Sequence, residues 1–295
     1  MEPRFGRLIT AMITPFTPDG ALDLDGAVAL ASWLVEQGND GLVLAGTTGE
    51  SPTLTHDEQI ALVEAVSGAV DCHVIAGAGS NDTAAAVELT RRCSAAGADA
   101  ILTVTPYYNR PSQLGLFNHF RSVAEATDLP VMLYDIPPRS GRKIDTDTIL
   151  RLADEVPNIV AVKDAAGDVA ETARLVAASP AGFEVYSGED SLTLALLAVG
   201  VVGAVSVASH WATPETVVMM DAFFSGDVAA ATEANRRLIP SWDFESGDLT
   251  PNPIPSKAMM KVLGLPGGDC RPPMGPEPAD LADRARHVLA GLGRA

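Results

Sequence analysis

Short apolar runs alternate with longer amphipathic runs along most of the chain. Apolar runs rich in β-branched residues and bounded by turn residues are typical of buried strands, and amphipathic runs between them are typical of helices. Eight strands are predicted, at Leu8–Phe16, Gly41–Gly46, His73–Gly77, Ala100–Thr105, Val131–Asp135, Ile159–Lys163, Glu184–Ser187 and Ala204–Val207. Helices are predicted near residues 25–38, 56–69, 82–96, 113–127, 145–154, 168–178, 190–199 and 214–224.

Helix boundaries carry their own signals in the sequence. Asp23 and Asp82 precede helix-like segments, and Thr55 has Glu58 three residues on, which is the spacing of a capping box. Glycine, which tolerates the left-handed backbone at a helix end, follows three of the predicted helices, at Gly38, Gly97 and Gly200. These signals support the assignment of helices between the strands.

Strands that alternate with helices predict right-handed βαβ units and a parallel sheet buried on both faces. Eight units fit a (β/α)8 TIM barrel, which typically takes about 250 residues. An open doubly wound sheet is the competitor, but the nearest glycine-rich loop, residues 77–82, follows the third strand and lacks a third glycine. We therefore predict an α/β barrel over residues 1–226. A C-terminal helical extension over 227–295, with helices near 227–239, 256–263 and 278–291, is predicted to pack on it.

The amino-acid composition narrows the range of functions that this protein can have. The net charge is −18, from 38 acids and 20 bases, and such a surface repels nucleic acid and anionic membranes. The three cysteines have no short metal-ligand spacing. Their odd number in a chain of this size argues against a disulfide framework and indicates a reducing compartment. The N-terminal stretch has an acid at position 2 and a proline within its apolar run, so no signal peptide is predicted. We expect a cytoplasmic protein that acts on small molecules.

Catalytic residues of a (β/α)8 barrel lie at the carboxyl ends of its strands. The sixth strand ends in Lys163, and a lysine in apolar surroundings loses its proton more easily and becomes a nucleophile. The alternative is a lysine that extends its ammonium to water from a strand end. Other strand ends supply the hydroxyls of Thr47 and Thr48, the phenol of Tyr134 and the guanidinium of Arg139.

These side chains suit imine chemistry. A lysine amine condenses with a 2-oxo acid, the imine loses a proton to become an enamine, and a phenol next to a hydroxyl moves the protons. Arg139 is expected to bind a second carboxylate in bidentate fashion. No metal site is predicted, because the strand ends lack a His and carboxylate cluster; His210 is isolated and is expected to be structural.

Five motifs resemble a known family. GTTGESPTL, TVTPYYNRPSQLGL, LYDIPPRSG, VAVKDA and NPIPSK are similar to motifs of the dihydrodipicolinate synthase (4-hydroxy-tetrahydrodipicolinate synthase) family, part of the pyruvate-dependent class I aldolase superfamily that includes N-acetylneuraminate lyase. The similarity runs along nearly the whole chain. It implies condensation of pyruvate with L-aspartate 4-semialdehyde to 4-hydroxy-tetrahydrodipicolinate, a step of lysine and diaminopimelate biosynthesis.

The resemblance also implies roles for individual residues. Lys163 matches the lysine that forms the Schiff base with pyruvate, without any cofactor, and Tyr134 matches the phenol that moves protons. Thr47 and Tyr108 match the rest of a proton relay, Tyr108 acting in the neighbouring subunit of a homotetramer built as a dimer of tight dimers. Substrate contacts are implied for Thr48 with the pyruvate carboxylate, Arg139 with the semialdehyde carboxylate, and the main chain of Gly188 and Val205.

A feedback site for lysine is also part of the resemblance. Ser51, His56, Asn81 and Tyr107 match residues of that site. Gln59 and Ala85 stand where lysine-sensitive members often carry a histidine and a glutamate. Because the missing glutamate would pair with the ammonium of lysine, we expect weak inhibition or none.

Two other functions are compatible with the pattern. One is a sister Schiff-base aldolase that acts on N-acetylneuraminate or 2-keto-3-deoxy sugar acids, although such relatives tend to lack an arginine at the position of Arg139. The other is a non-catalytic barrel with a binding or regulatory role. The complete set of lysine, tyrosine and threonine argues against the second.

Overall fold

Eight parallel strands close into a barrel, in chain order, in the computed structural model, which describes residues 2–294. The strands are β1 Leu8–Ala11, β2 Gly41–Leu44, β3 His73–Gly77, β4 Ala100–Val104, β5 Val131–Asp135, β6 Ile159–Asp164, β7 Glu184–Ser187 and β8 Gly203–Ser206. Closure is made where β1 pairs with β8, Ile9 lying opposite Val205. The predicted (β/α)8 TIM barrel is confirmed.

Twelve helices accompany these strands in residues 2–294. They are α1 Leu24–Glu36, α2 His56–Ser67, α3 Thr83–Ala95, α4 Gln113–Ala124, α5 Pro137–Ser140, α6 Thr146–Glu155, α7 Val169–Ala178, α8 Thr193–Leu197, α9 Ser209–Phe224, α10 Val228–Glu245, α11 Ile254–Val262 and α12 Leu281–Gly291. Within this part of the chain, none of the helices is both long enough and apolar enough to cross a membrane.

The helix boundaries follow the capping signals in the sequence. Asp23 and Asp82 accept backbone N–H groups at the starts of α1 and α3. Thr55 and Glu58 form the complete capping box of α2. The three helix-end glycines adopt positive φ, at Gly38, Gly97 and Gly200. Local chemistry therefore sets these boundaries before tertiary packing adds to them.

Several boundaries differ from those expected. The first strand was predicted to reach Phe16 but ends at Ala11, because Thr14 turns its hydroxyl onto the Gly49 carbonyl and Pro15 has no N–H to donate to a strand. The four-residue helix α5 was not predicted. One later helix is longer than expected although it contains a proline: α10 continues past Pro240 to Glu245. The segment α9 has a kink at Ala212, where the backbone is not helical, and the helix predicted from residue 214 follows that kink.

The interior of the barrel is filled by side chains from alternate positions of the strands. An apolar layer that includes Ile9, Val43, Met132 and Tyr186 packs beneath the carboxyl ends of β5 and β6. Because this layer closes the barrel from below, any group placed above it lies in a pocket that opens toward one end only.

The C-terminal segment is joined to the loop after β2 by a buried ion pair. Lys257 Nζ lies 2.6 Å from Glu50 Oε1, and both side chains are 2% exposed. The ammonium also lies 4.0 Å from the centroid of the Phe16 ring. This pair connects α11 to the loop that carries Thr47 and Thr48.

Arg271 makes a second connection to the same region. Its guanidinium donates to both oxygens of Glu58 and to the Thr53 carbonyl, and its backbone N–H donates to Glu50 Oε2. Hydrogen bonding from Arg271 lowers the pKa of Glu58 to about 2.

The division of the chain into 1–226 and 227–295 stays a prediction, and residues 1 and 295 lie outside the described residues.

Replacing Lys257 by methionine should cost about 3–5 kcal/mol in the free energy of unfolding, because the Glu50 charge would stay buried without its cation. Midpoints of urea unfolding, followed by circular dichroism, measure the change. Lys261→Met is the control on the same helix: its ion pairs are more exposed and should cost about 1 kcal/mol or less. Equal losses for the two variants would contradict a special role of the buried pair.

Candidate active site

Lys163 lies at the carboxyl end of β6 with its side chain almost completely buried, the residue being 5% exposed. Burial is the largest cause that lowers the pKa of its ammonium, to about 8, and Arg139 acts in the same direction. Asp190 is the strongest of three nearby carboxylates that oppose the shift. About one amine in ten is then neutral at pH 7, against fewer than about one in a thousand for a lysine in water.

Tyr134 is the direct neighbour of Lys163 across the sheet. The two residues are paired in the register of β5 and β6, so their side chains point to the same side of the sheet, into the barrel. Lys163 Nζ lies 4.4 Å from the centroid of the phenol ring. Burial raises the pKa of Tyr134 to about 12, against the lowering effects of the Arg139 charge and a hydrogen bond with Thr47. The phenol therefore keeps its proton at neutral pH.

Gly188, directly after β7, lies in close contact with the Lys163 side chain. A Cβ atom placed on it would lie 2.9 Å from both Cε and Cγ of Lys163. Its backbone N–H donates to the Asp164 carbonyl at 2.7 Å. Any side chain at position 188 would push the amine out of its place, so the glycine is required by the close approach.

The loop after β2 presents Thr47 and Thr48. Its backbone is held in the left-handed region at Ala45, with φ 50°, and at Glu50, with φ 56°. Non-glycine residues adopt this region at an energetic cost and are often found at functional sites. Thr48 is buried, and its hydroxyl oxygen accepts a hydrogen bond from Asn252 Nδ2 at 2.8 Å. Because that oxygen is already an acceptor, its own proton is directed elsewhere and suits a carboxylate.

The aspartates at the ends of β5 and β6 do not form an acid pair with each other. Asp135 accepts from Lys143 Nζ at 2.9 Å and from the Ile144 N–H at 3.0 Å. Asp164 accepts from the Thr172 hydroxyl at 2.6 Å and from a backbone N–H. Each carboxylate therefore organises the loop after its strand.

A cavity of about 180 Å³ lies above the packed layer of the barrel. Its wall contains six of the residues selected from the sequence, namely Thr47, Thr48, Tyr134, Arg139, Lys163 and Gly188. Val205 lies within β8, buried in the barrel interior, and Val207 forms the wall in its place. The fold thus brings together most of the expected site.

Tyr108 is not part of this cavity. Its side chain is 90% exposed, and its backbone is held at φ 73°. The Tyr108 N–H donates to the Ser140 carbonyl at 3.3 Å, which connects the loop after β4 to α5. A large aromatic side chain is therefore held away from the body of the chain on a strained backbone.

The cavity also contains residues that were not expected. Glu245 is the last residue of α10, Asn252 lies in the turn before α11, and Glu189 comes from the turn after β7. Asn252 stands in the NPIPSK motif, but no strand end leads to it, so its contact with Thr48 had no signal in the strand pattern. Glu245 falls after the predicted end of its helix at residue 239, and nothing in the sequence indicated it.

The residues that match a lysine site are only partly brought together. Ser51 and Tyr107 share the wall of a second cavity, of about 290 Å³, with Thr47 and Arg139. His56 is exposed and Asn81 is half-buried, and neither lines this cavity. Gln59 is buried and its Nε2 donates to the Ser51 carbonyl at 3.2 Å.

His210 is a structural residue. It is completely buried, its Nε2 accepts from the Ile13 N–H at 3.0 Å, and its Nδ1 contacts the Val207 carbonyl at 2.8 Å. Burial lowers the pKa of the imidazole to about 4. Elsewhere in residues 2–294, no group of three or more His, Cys, Asp or Glu side chains is arranged to hold a metal ion.

Comparison with known proteins agrees with this geometry. A model of the Dihydrodipicolinate synthetase family matches residues 4–290. A 4-hydroxy-tetrahydrodipicolinate synthase of Moorella thermoacetica is 53% identical over 92% of this chain and 92% of its own. One from Acidothermus cellulolyticus is 50% identical over 98% of this chain and 93% of its own.

A solved structure shows the same similarity in three dimensions. The crystal structure of DHDPS from Cyanidioschyzon merolae with lysine bound has a TM-score of 0.96 and 42% identity, and each chain covers 100% of the other. Sequence and fold thus agree over the whole length. The chain belongs to the Dihydrodipicolinate synthetase family.

Proposed function

We propose that this protein condenses pyruvate with L-aspartate 4-semialdehyde, through a Schiff base on Lys163, to give 4-hydroxy-tetrahydrodipicolinate. The observation that carries the proposal is the buried Lys163 amine, whose pKa is lowered to about 8, packed on the Tyr134 ring at the carboxyl end of the barrel. The related synthases of Moorella and Acidothermus bear the name of this activity. Neither alternative function is favoured by the relatives.

The first half of the reaction takes place on the lysine. The neutral amine of Lys163 attacks C2 of pyruvate, water leaves, and a protonated imine remains. The imine withdraws electrons from C3, which loses a proton to give the enamine. This chemistry needs no cofactor, because the imine itself stores the electron pair.

The second half joins the substrates. The enamine carbon attacks the aldehyde carbon, and the aldehyde oxygen takes a proton to become the hydroxyl. The amine of the semialdehyde then attacks the imine carbon and displaces Lys163, which closes the ring. In this proposal Tyr134, whose ring packs on Lys163, exchanges protons with the lysine-bound intermediates, and Thr47, its hydrogen-bond partner, passes them on.

Substrate carboxylates need positive charge or hydrogen-bond donors in a protein of net charge −18. Thr48 supplies a hydroxyl for the pyruvate carboxylate, oriented by Asn252, and the main chain of Gly188, in the wall of the same cavity, completes that subsite. Arg139 supplies the guanidinium for the semialdehyde carboxylate, in the wall of the same cavity.

We further propose a cytoplasmic homo-oligomer, a tetramer built as a dimer of dimers, in which Tyr108 completes the relay of a neighbouring subunit. The exposure of Tyr108 and its strained backbone support this arrangement. If the Tyr108 phenol only lay in water, the structure would give no reason for its backbone to be held at positive φ. A phenol inserted into a partner's pocket gains enough buried contact to offset the strain.

Borohydride trapping tests the role of Lys163. Pyruvate with borohydride should leave a reduced three-carbon adduct on Lys163, detected by peptide mass spectrometry. Because only the neutral amine attacks, the trapping rate should rise about tenfold per pH unit up to about pH 8 and then level off. Lys163→Ala should form no adduct. An adduct on Lys143, Lys257 or Lys261, or a rate that still rises at pH 10, would refute the assignment.

Subunit complementation tests the role of Tyr108. Tyr108→Phe should lower turnover more than it lowers pyruvate binding, since it removes a proton carrier. Co-expressed Lys163→Ala and Tyr108→Phe chains should recover about a quarter of wild-type activity, because a mixed two-fold dimer keeps one site with both groups intact. Each variant expressed alone is the control. No recovery in purified mixed dimers would place Tyr108 in its own subunit's site.

Inhibition by lysine should be weak or absent. Among the six positions considered, Ser51, His56, Gln59, Asn81, Ala85 and Tyr107, none supplies a carboxylate for the ammonium of lysine. A coupled assay with lysine up to a few millimolar should show little loss of rate. The related protein of Cyanidioschyzon merolae has lysine bound, so inhibition at submillimolar lysine would show that another residue replaces the missing glutamate.

A further inference from the structure

Glu245, the last residue of α10, is a buried acid that the mechanism above does not use. It is 8% exposed, and its side chain forms part of the wall of the cavity that holds Lys163. Its Oε2 is buried, and no donor in residues 2–294 makes a hydrogen bond to it. A buried carboxyl at a substrate cavity with an unmet acceptor is unusual, because native structures satisfy nearly all such atoms.

Asp190 explains the protonation of this group. Asp190 Oδ2 accepts the backbone N–H groups of Val207 and Ala208 at 2.7 and 2.9 Å, which stabilises its negative charge. The Glu245 carboxyl lies beside it, and burial, followed by the Asp190 charge, raises the pKa of Glu245 well above its ordinary value. Glu245 therefore holds its proton more tightly than a carboxyl in water.

Each of the other charged groups in the wall has a partner or an assigned role. Lys163 is consumed by the imine, and Arg139 meets a carboxylate. Glu189 Oε1 already accepts the Ser191 hydroxyl at 3.0 Å. The Glu245 carboxyl thus remains without an assigned role, in the wall of the same cavity as a guanidinium. This combination complements a molecule with a carboxylate and an ammonium on one carbon.

We propose that the Glu245 carboxyl, together with Asp190, receives the α-ammonium group of the amino aldehyde while Arg139 holds its carboxylate. The inference rests on the proposed function and adds to it the feature that selects the second substrate. It predicts discrimination in favour of an aldehyde acid with an α-amine over one without. It also places that amine near Lys163, where ring closure requires it.

The test compares two ligands in the pyruvate-loaded enzyme. Aspartate semialdehyde is the substrate, and 4-oxobutanoate has the same aldehyde and carboxylate but no amine. Glu245→Met should raise KM for aspartate semialdehyde about tenfold or more, because it removes a buried acceptor for a charged donor. The inhibition constant of 4-oxobutanoate should change less than about twofold, since it makes no such contact.

Two further variants make the test specific. Glu245→Gln keeps a carbonyl oxygen and can still donate to Asp190, so its rise in KM should be smaller than that of Glu245→Met. Glu245→Gln also provides the test if the Glu245→Met variant does not fold. Asp243→Met, exposed on the same helix, is the control for substitution of an acid near the end of α10.

The outcomes separate this inference from the proposed function. Absence of turnover of aspartate semialdehyde by the wild type would refute the proposed function, and the inference would fall with it. Normal wild-type turnover with equal losses for both ligands in Glu245→Met would show that Glu245 only shapes the cavity. A fall in kcat with unchanged KM would make it a proton carrier. Either result would overturn ammonium recognition.

Discussion

The site depends on keeping one amine out of water. Lys163 is enclosed by the Tyr134 ring on one side and by Gly188 on another, with the packed barrel layer beneath. Desolvation makes the amine a nucleophile near neutral pH, and it does so although three carboxylates nearby favour the charged form. Burial and the neighbouring Asp190 raise the pKa of Glu245, which favours its neutral form and limits its part in this opposition.

The enclosure of Lys163 also constrains the position and the protonation of the neighbouring Tyr134. The pairing of β5 with β6 places Tyr134 opposite Lys163, so the distance between amine and phenol follows from strand register. A phenol that keeps its proton can donate to a leaving oxygen and later take a proton back, which a permanently charged group does less well. The relative positions of Lys163 and Tyr134, the proposed nucleophile and proton carrier, are thus fixed by paired strands of the barrel.

The segment that follows the barrel contributes side chains to the site. Asn252 orients the Thr48 hydroxyl, Glu245 enters the cavity, and Lys257 holds the loop of Thr47 and Thr48 through Glu50. Arg271 ties the following segment to the same loop. The strain at Ala45 and Glu50 persists because these contacts determine the loop from several sides.

The order of the eight strands, most of the helices, several helix caps, the barrel and the position of Lys163 at the end of a strand could all be predicted from the sequence. The reason is that they depend on local periodicity, on turn chemistry and on the rule that strand ends meet at one face. The tyrosine, the threonines and Arg139 were likewise found at strand ends. Contacts over about 200 residues of sequence, such as Asn252 with Thr48, follow no local rule and appear only in the folded chain.

Tertiary packing also determined the structure at places where the local sequence pattern was misleading. Proline normally ends a helix, yet α10 continues past Pro240 because Ser241 and Phe244 are buried against the rest of the protein, and this carries Glu245 into the cavity. The sequence determined which chemistry the chain can perform, since side-chain types and strand ends are local properties. Only the tertiary structure decided which amine is desolvated and which carboxyl has a raised pKa, because burial and charge proximity are properties of the assembled core.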